Sequence, residues 1–321
     1  MKAAVYHENG PPDVLRYEDV PDPQCHPKGI VIRVEAVSIE GGDTLNRLGG
    51  PLMTHPHVVG YQAAGEVIEV GSEVANFKVG DKVCTTGGWG SHAELRAVSA
   101  KTAWKAPDGL STREAAVIPV TFGTADDCLF EFGRLKAGEI ALIQAGGSGV
   151  GVAAIQLAAR AGAKLVIATA SSDARLEKLK PLGMTHGINY STHDVVEEVM
   201  RITDKHGADV VVDSVGGAVL QGSILALAYR GRVSTVGQAG RDRQKLDLST
   251  LMGGNRTISG VFLGAEINTD RVQKNMVSLI DRVARGELKV VIDREFPLSE
   301  AAAAHAYIES RQAVGRVLLI P

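Results

Sequence analysis

ALIQAGGSGVGVAAIQLA, residues 141–158, decides the fold. EIALIQA (139–145) is a short apolar strand that runs into Gly146-Gly147-Ser148-Gly149-Val150-Gly151. A helix-forming stretch, VGVAAIQLAARAGA (150–163), begins at once and ends at Gly162. Strand, tight glycine turn and helix in that order are the setting in which a Gly-rich segment binds a dinucleotide. Glycines let the backbone approach a pyrophosphate, and the helix N-terminus offers free N–H groups and the positive end of its dipole. Gly151 lets the helix lie close to the sheet. Ser148 stands where the usual pattern has its middle glycine.

Working outward, the texture repeats. KLVIATA (164–170) is the next strand, and SDARLEKLKPLG (172–183) is a helical stretch opened by a serine cap and closed by Gly183. ADVVVDSVG (208–216) and GRVSTVG (231–237) are two more buried strands, each ending in glycine. Alternating strands and helices predict a doubly wound parallel sheet covered by helices, an α/β fold. The tip of the second strand selects the cofactor. NAD enzymes usually place an acidic residue there for the ribose 2′-hydroxyl. Here the tip carries Ala170, Ser171 and Ser172, with Arg175 one turn into the helix and Asp173 past the tip. Hydroxyls plus a cation suit a 2′-phosphate, so NADPH is expected over NADH. Ser172 as a plain helix cap and Arg175 as a surface charge is the blander alternative.

The flanks differ. The first ~120 residues are short β-rich segments between turn signals, the texture of a barrel-like β domain. GIVIRVEAVSI (29–39) alternates, AAGEVIEVGSEV (63–74) is predicted as two extended pieces meeting at Gly71-Ser72, and FKVGDKVCTT (77–86) turns at Gly80-Asp81. From about Gly264 an amphipathic helix (RVQKNMVSLIDRVARGEL), a strand (KVVIDREFPL), an Ala-rich helix (SEAAAAHAYIESR) and a final strand (GRVLLIP) follow. Local pattern leaves open whether this tail extends the nucleotide sheet or returns to the first domain.

Composition bounds the function. The 321 residues predict about two domains. A net charge of -3 without long runs of one sign disfavours nucleic acid and polybasic membrane docking. Cys25, Cys84 and Cys128 are odd in number and scattered, which is no disulfide framework. No apolar stretch reaches the ~20 residues of a membrane span, and MKAAVYHENGPP lacks a secretory pattern. A cytoplasmic protein is expected.

VVGYQAAGEVIEVGSEVANFKVGDKV (58–83) resembles the first-domain signature of the medium-chain dehydrogenase/reductase superfamily. AGGSGVGVAAIQLAARAGA, LGMTHGINYST, ADVVVDSVGG and GRVLLI are similar to segments of its zinc-independent quinone oxidoreductase branch. The resemblance implies a GroES-like barrel domain (1–121 and 265–321) that receives the tail, a Rossmann domain (122–264), an active site in the cleft between them, and a homodimer. It also implies cofactor positions: Thr124 beside the nicotinamide ribose; Gly146, Ser148, Gly149 and Val150 at the pyrophosphate; Ser171, Arg175 and Tyr190 near the 2′-phosphate. Val215, Gly237 and Gln238 follow strand ends that edge the nucleotide, Phe262 and Leu263 match the strand whose backbone holds the carboxamide, and Arg311 matches a basic tail position. Tyr190 as a packing residue and Arg311 as a helix C-terminal cation are the alternatives.

Zinc-dependent relatives carry their ligands, Cys, His and Cys or an acidic residue, at positions that look here like Glu40, Tyr61 and about Thr121, with Gln62 at the place of an acidic neighbour of the His. The four-cysteine structural lobe is missing. No metal is expected. The pair His55 and His57 is expected in a solvated loop, and His92 beside the cleft. With no catalytic triad evident, the cofactor carries the chemistry: hydride to a quinone or α,β-unsaturated carbonyl, with a proton from water or a side chain. SIEGGDTLNRLGG (38–50) keeps Asp43 and Arg47 but has Glu40 for the branch's Asn and Leu45 for its Tyr. Glu40 is therefore a candidate proton donor or substrate ligand, or else a structural carboxylate, and Tyr61 is a second candidate. The alternatives are a reductase of another conjugated substrate such as an enoyl thioester, and a weakly catalytic NADPH-binding protein.

Overall fold

The computed structural model describes residues 1–242 and 244–321. The chain divides into two compact units, Met1–Val120 with Gly264–Pro321, and Thr121–Leu263. Among the described residues no helix is long and apolar enough to cross a membrane.

The first unit starts with β1 (Lys2–Tyr6), β2 (Arg16–Asp19) and β3 (Gly29–Ser38). Helix α1 (Gly41–Gly49) follows, then β4 (His57–Val58), β5 (Gln62–Val70), β6 (Lys82–Thr86), β7 (Leu95–Ser99) and β8 (Ala103–Lys105). The short helix α2 (Thr112–Ala115) comes next; α3 (Ile118–Asp126) runs from the first unit into the second, where a π-helical turn spans Asp127–Phe132. In β3 the alternating apolar residues Ile30, Ile32 and Val34 join Val67 of β5 and Val83 of β6 in one core. The segment 63–74 is one strand to Val70 rather than two. Beyond it Gly71 N–H bonds to Gly29 O and Val74 N–H to Gly71 O, so the chain turns instead of making a second ladder.

The second unit contains β9 (Ile140–Ile143), α4 (Gly149–Arg160), β10 (Leu165–Ala170), α5 (Asp173–Glu177) and β11 (His186–Asn189). After them come α6 (Val195–Ile202), β12 (Ala208–Asp213), α7 (Gly217–Leu225), β13 (Leu227–Thr235), α8 (Ser249–Met252) and β14 (Thr257–Gly260). All neighbouring pairs are parallel, in the order β11-β10-β9-β12-β13-β14. This is the doubly wound dinucleotide-fold order, whose reversal point lies beside its first strand, here β9. The predicted helix 172–183 is shorter: α5 stops at Glu177 and a 3-10 turn spans Lys180–Leu182. Pro181 has no N–H to continue an α-helix.

The chain then forms α9 (Leu263–Glu266), α10 (Asp270–Ala284), β15 (Ile292–Pro297), α11 (Ala301–Glu309) and β16 (Arg316–Ile320). Helix α10 buries Val272, Met276, Leu279, Ile280 and Val283, a single stripe at helical spacing, and Thr269 caps it by accepting Val272 N–H at 3.3 Å. The tail belongs to the first unit: β16 pairs antiparallel with β3 and parallel with β15.

Candidate cofactor and acceptor sites

Between β9 and α4 the backbone turns with Ala145 at φ +50. Ala145 N–H donates to Thr169 Oγ1 (3.1 Å) and Gly146 N–H to Thr169 O (2.8 Å), so the turn is fastened to β10. A Cβ on Gly151 would come within 2.5 Å of Ala145 O, a clash with backbone that only glycine avoids. Ser148 caps α4, its hydroxyl accepting Gly151 N–H at 3.0 Å. The first-turn N–H groups of Gly149 and Val150 have no intrahelical acceptor, and α4 directs its positive end at the same point.

Beneath the turn runs a buried polar chain that the sequence reading did not identify. Thr169 Oγ1 donates to Gln144 Oε1 (2.9 Å), Gln144 Nε2 to Ser223 Oγ (3.1 Å), and Ser223 Oγ to Asp213 Oδ2 (2.7 Å). Asp213 Oδ1 accepts the N–H groups of Val215 (2.9 Å) and Gly216 (2.8 Å). Burial pushes the Asp213 carboxyl up, against the lowering effect of these bonds. Val215 O in turn accepts Gly240 N–H at 2.9 Å, and a Cβ on Gly237 would sit 2.8 Å from Ser214 O. The loops bearing Val215, Gly237 and Gln238 are thus held together. The one sequence signal was a carboxylate ending the apolar run VVVD.

At the tip of β10, Arg175 Nη1 donates to Ser171 Oγ at 2.9 Å. Tyr190 stands 46% exposed, tied by its N–H to Ala170 O (3.1 Å). Asp173 is engaged by Asn189 Nδ2 at 3.1 Å. Ser172 occupies the N-cap position without a side-chain bond to the helix. Thr124 is buried on α3. Phe262 and Leu263 are not on a strand, which corrects the expectation: β14 ends at Gly260, Phe262 is 73% exposed, and Leu263 begins α9. Val261 N–H still bonds to Thr235 O (2.9 Å), but the chain then leaves the ladder. Arg311, in the first unit, is exposed just after α11 with φ +58.

The acceptor-side candidates gather around the start of α1. Glu40 is 5% exposed, and its N–H donates to Asp43 Oδ2 at 2.7 Å. Three groups converge on Glu40 Oε1: Ser38 hydroxyl (3.2 Å), the Gln62 amide and Arg316 Nη2 (2.6 Å). Gln62 Oε1 accepts Val120 N–H (2.9 Å), and Arg316 Nε donates to Ser38 Oγ (3.1 Å). The Tyr61 ring lies against Gly42, where a Cβ would be 2.3 Å from its Cε2. Burial pushes the Tyr61 phenol up to about 12. Asp43 is fully buried with Oδ1 unpartnered, and burial raises its carboxyl to about 8.

One histidine expectation changes. His57 lies buried on β4, not in solvated loop; its Nδ1 accepts Met53 N–H (3.2 Å) and its ring meets Tyr6 edge-on at 5.1 Å. His92 is fully buried and faces His305, Nε2 to Nε2, at 3.0 Å. Arg47 Nη1 lies 2.8 Å from His305 Nδ1. Arginine only donates, so His305 Nδ1 accepts, its Nε2–H donates to His92, and His92 Nδ1–H points to Ser91 Oγ (3.2 Å). Both rings are held neutral: burial lowers His92 to about 3 and His305 well below its ordinary value. Among the described residues no group of three or more His, Cys, Asp or Glu is placed to hold a metal.

Comparison with known proteins agrees with this fold. Residues 26–108 match the alcohol dehydrogenase GroES-like domain and residues 149–282 the family described as zinc-binding dehydrogenase. A 2-haloacrylate reductase of a Burkholderia species is 34% identical, over 100% of this chain and 99% of its own. The quinone oxidoreductase of Pseudomonas aeruginosa is 32% identical, over 97% of both. The Escherichia coli quinone oxidoreductase solved with NADPH superposes with a TM-score of 0.95 at 29% identity, covering 100% of both chains. The fold is that of a dehydrogenase/reductase with a GroES-like unit and a Rossmann-like unit. The chain belongs to the medium-chain dehydrogenase/reductase superfamily, in its quinone oxidoreductase branch.

Proposed function

We propose that this protein is an NADPH-dependent reductase of quinones or α,β-unsaturated carbonyl compounds that works without zinc. The observation that carries the cofactor reading is the tip of β10, where Ser171 and Arg175 bond to each other beside exposed Tyr190. The nearby carboxylate, Asp173, is already engaged by Asn189. The residues fit the group: Gly146, Ser148, Gly149 and Val150 form the pyrophosphate cradle, with Ser171, Arg175 and Tyr190 at the 2′-phosphate. Thr124, Val215, Gly237 and Gln238 complete its surroundings within the second unit. When bound, NADPH supplies the hydride.

The remaining task is to orient the acceptor, exclude water and deliver a proton. Residues 122–264 are the cofactor domain, and 1–121 with 265–321 the acceptor domain. Tyr61 carries a phenol that stays protonated at neutral pH and is the proton donor we favour. Glu40 accepts hydrogen bonds from Ser38 and Gln62 and faces the Arg316 guanidinium as an ion pair, the surroundings of a structural carboxylate rather than of a proton donor. It holds Gln62, the neighbour of Tyr61, in place. The protein is taken as a cytoplasmic homodimer acting on small molecules.

NADPH oxidation against a panel of quinones, enones, enoyl thioesters and 2-haloacrylate tests this reading. Arg175→Ala should raise KM for NADPH about tenfold, the loss of a charged hydrogen bond, and leave KM for NADH unchanged. No turnover with any acceptor, despite NADPH binding, would sink the reductase assignment.

A further inference from the structure

At the opposite end of the parallel sheet from the glycine turn, a groove of about 740 Å³ opens near the starts of β9, β12, β13 and β14. Its wall holds four cations, Arg134, Lys136, Arg230 and Arg232, and two carboxylates, Glu139 and Asp209. Both carboxylates are engaged. Glu139 pairs with Arg232 at 2.8 Å, while Asp209 accepts Ile140 N–H (2.8 Å) and lies 3.0 Å from His206 Nε2. Arg232 also donates to the carbonyls of Gly133 (2.8 Å) and Arg134 (3.0 Å), which fixes the turn carrying Arg134. Among the described residues the side chains of Arg134, Lys136 and Arg230 enter no hydrogen bond or ion pair.

The backbone of this groove is unusual. Arg134, Arg230 and Asn255 have φ of +49, +61 and +49, in a region disfavoured for any residue with a Cβ. Such positions concentrate where a surface is shaped for binding. Arg230 N–H bonds to Gly254 O at 2.7 Å, which holds the second turn. Between the turns Tyr229 is 68% exposed, and its hydroxyl accepts Asn255 Nδ2 at 3.1 Å. An aromatic ring is therefore presented at a set angle beside three uncompensated cations, in a chain whose net charge is -3.

We propose that this groove binds a polyphosphate group, borne by a nucleoside di- or triphosphate whose base stacks on Tyr229. Guanidinium forks match phosphate oxygens two at a time, and lysine adds a point charge. The volume falls in the range of small-molecule sites, roughly 300–1,000 Å³. The site is separate from the dinucleotide turn, and its occupation does not depend on the reductase reading.

Calorimetric titration of the NADPH-saturated protein with inorganic tripolyphosphate, and separately with ATP, tests it at low ionic strength. Both should bind. Arg134→Gln with Arg230→Gln should weaken both about tenfold or more, as expected when charged phosphate contacts are removed. Tyr229→Ala should weaken ATP alone, and Arg175→Ala neither. Should the double variant not fold, either single change gives the same reading at smaller amplitude. No binding of either probe up to about 1 mM, or full affinity in a folded double variant, overturns the site. Loss of binding in Arg175→Ala also overturns it, since the probe then sits at the dinucleotide turn. Equal ATP affinity with and without the Tyr229 ring overturns the nucleotide assignment.

Discussion

The two units each bury a polar cluster, and the clusters are built on opposite principles. Under the glycine turn, Asp213 is bonded by the backbone N–H groups of Val215 and Gly216 and the Ser223 hydroxyl, with no cation among these partners. Beside α1, Glu40 is matched by a guanidinium, Arg316, at 2.6 Å. The first arrangement fixes backbone: each bond positions a loop near the proposed cofactor path. The second balances charge. A buried ion pair does little for stability as a whole, yet removing one member leaves the other uncompensated. The difference teaches that the Asp213 cluster should tolerate single changes that the Glu40 cluster does not.

The largest expected effect lies in the ionic cluster. Arg316→Met should destabilise the protein by about 3–5 kcal/mol in chemical denaturation, and adding Glu40→Gln should recover part of that loss. If Arg316→Met alone were nearly neutral, the contrast would be broken. In the neutral cluster, Asp213→Asn should cost only about 1–2 kcal/mol, because an amide oxygen still serves Val215 and Gly216. NADPH affinity should nonetheless fall, since the loops beside the turn lose their anchor. A loss as large as that of Arg316→Met would erase the distinction.

The smallest effect is on pH dependence. His92 and His305 are neutral in the folded protein, whereas unfolded imidazoles protonate near 6.5. The unfolded chain therefore binds more protons below that value, and stability falls as pH drops below it. Asp43 has the opposite sign. Its carboxyl rises from 3.8 to about 8 on folding, so its contribution is lost as pH increases toward 8. The slope has an upper limit of about 1.4 kcal/mol per pH unit for each group. With His57 also lowered and Asp213 also raised, three rings against two acids give net loss below 6.5, and the acids alone give loss above it. Denaturation midpoints taken from pH 5 to 8 should peak near 6.5, and His92→Gln with His305→Gln should flatten the acid side. A parent curve that rises steadily toward pH 5 would remove the neutral-pair account.

What was legible in the sequence follows the range of the forces involved. The glycine turn, β9, β10, β12 and α4 rest on local patterns of period, glycine and cap, and they stand where the sequence placed them to within a few residues. Pairing of Ser171 with Arg175 was also local, one helical turn apart. The fate of the tail was open because a strand such as GRVLLIP suits either sheet. His92 and His305 are 213 residues apart, and nothing near either announces the other. The same holds for Glu40: its role depended on whether a distant cation met it. His57 was misplaced because Pro56 and the glycines before it suggested loop, while β1 supplied the partner strand. Phe262 was placed on a strand by resemblance, but β14 ends two residues earlier.

The position of β16 has a consequence during synthesis. Val317, Leu318 and Leu319 are buried between β15 and β3, and Arg316 is the cation that matches Glu40. Arg316 is separated from Ser38 by 278 residues. At about 5–20 residues per second, the nascent chain carries an unmatched Glu40 and an open edge of β3 for tens of seconds. Thr121–Leu263 has all its strands in hand well before that, so the ribosome delivers a finished second unit while the first still waits for its closing strand.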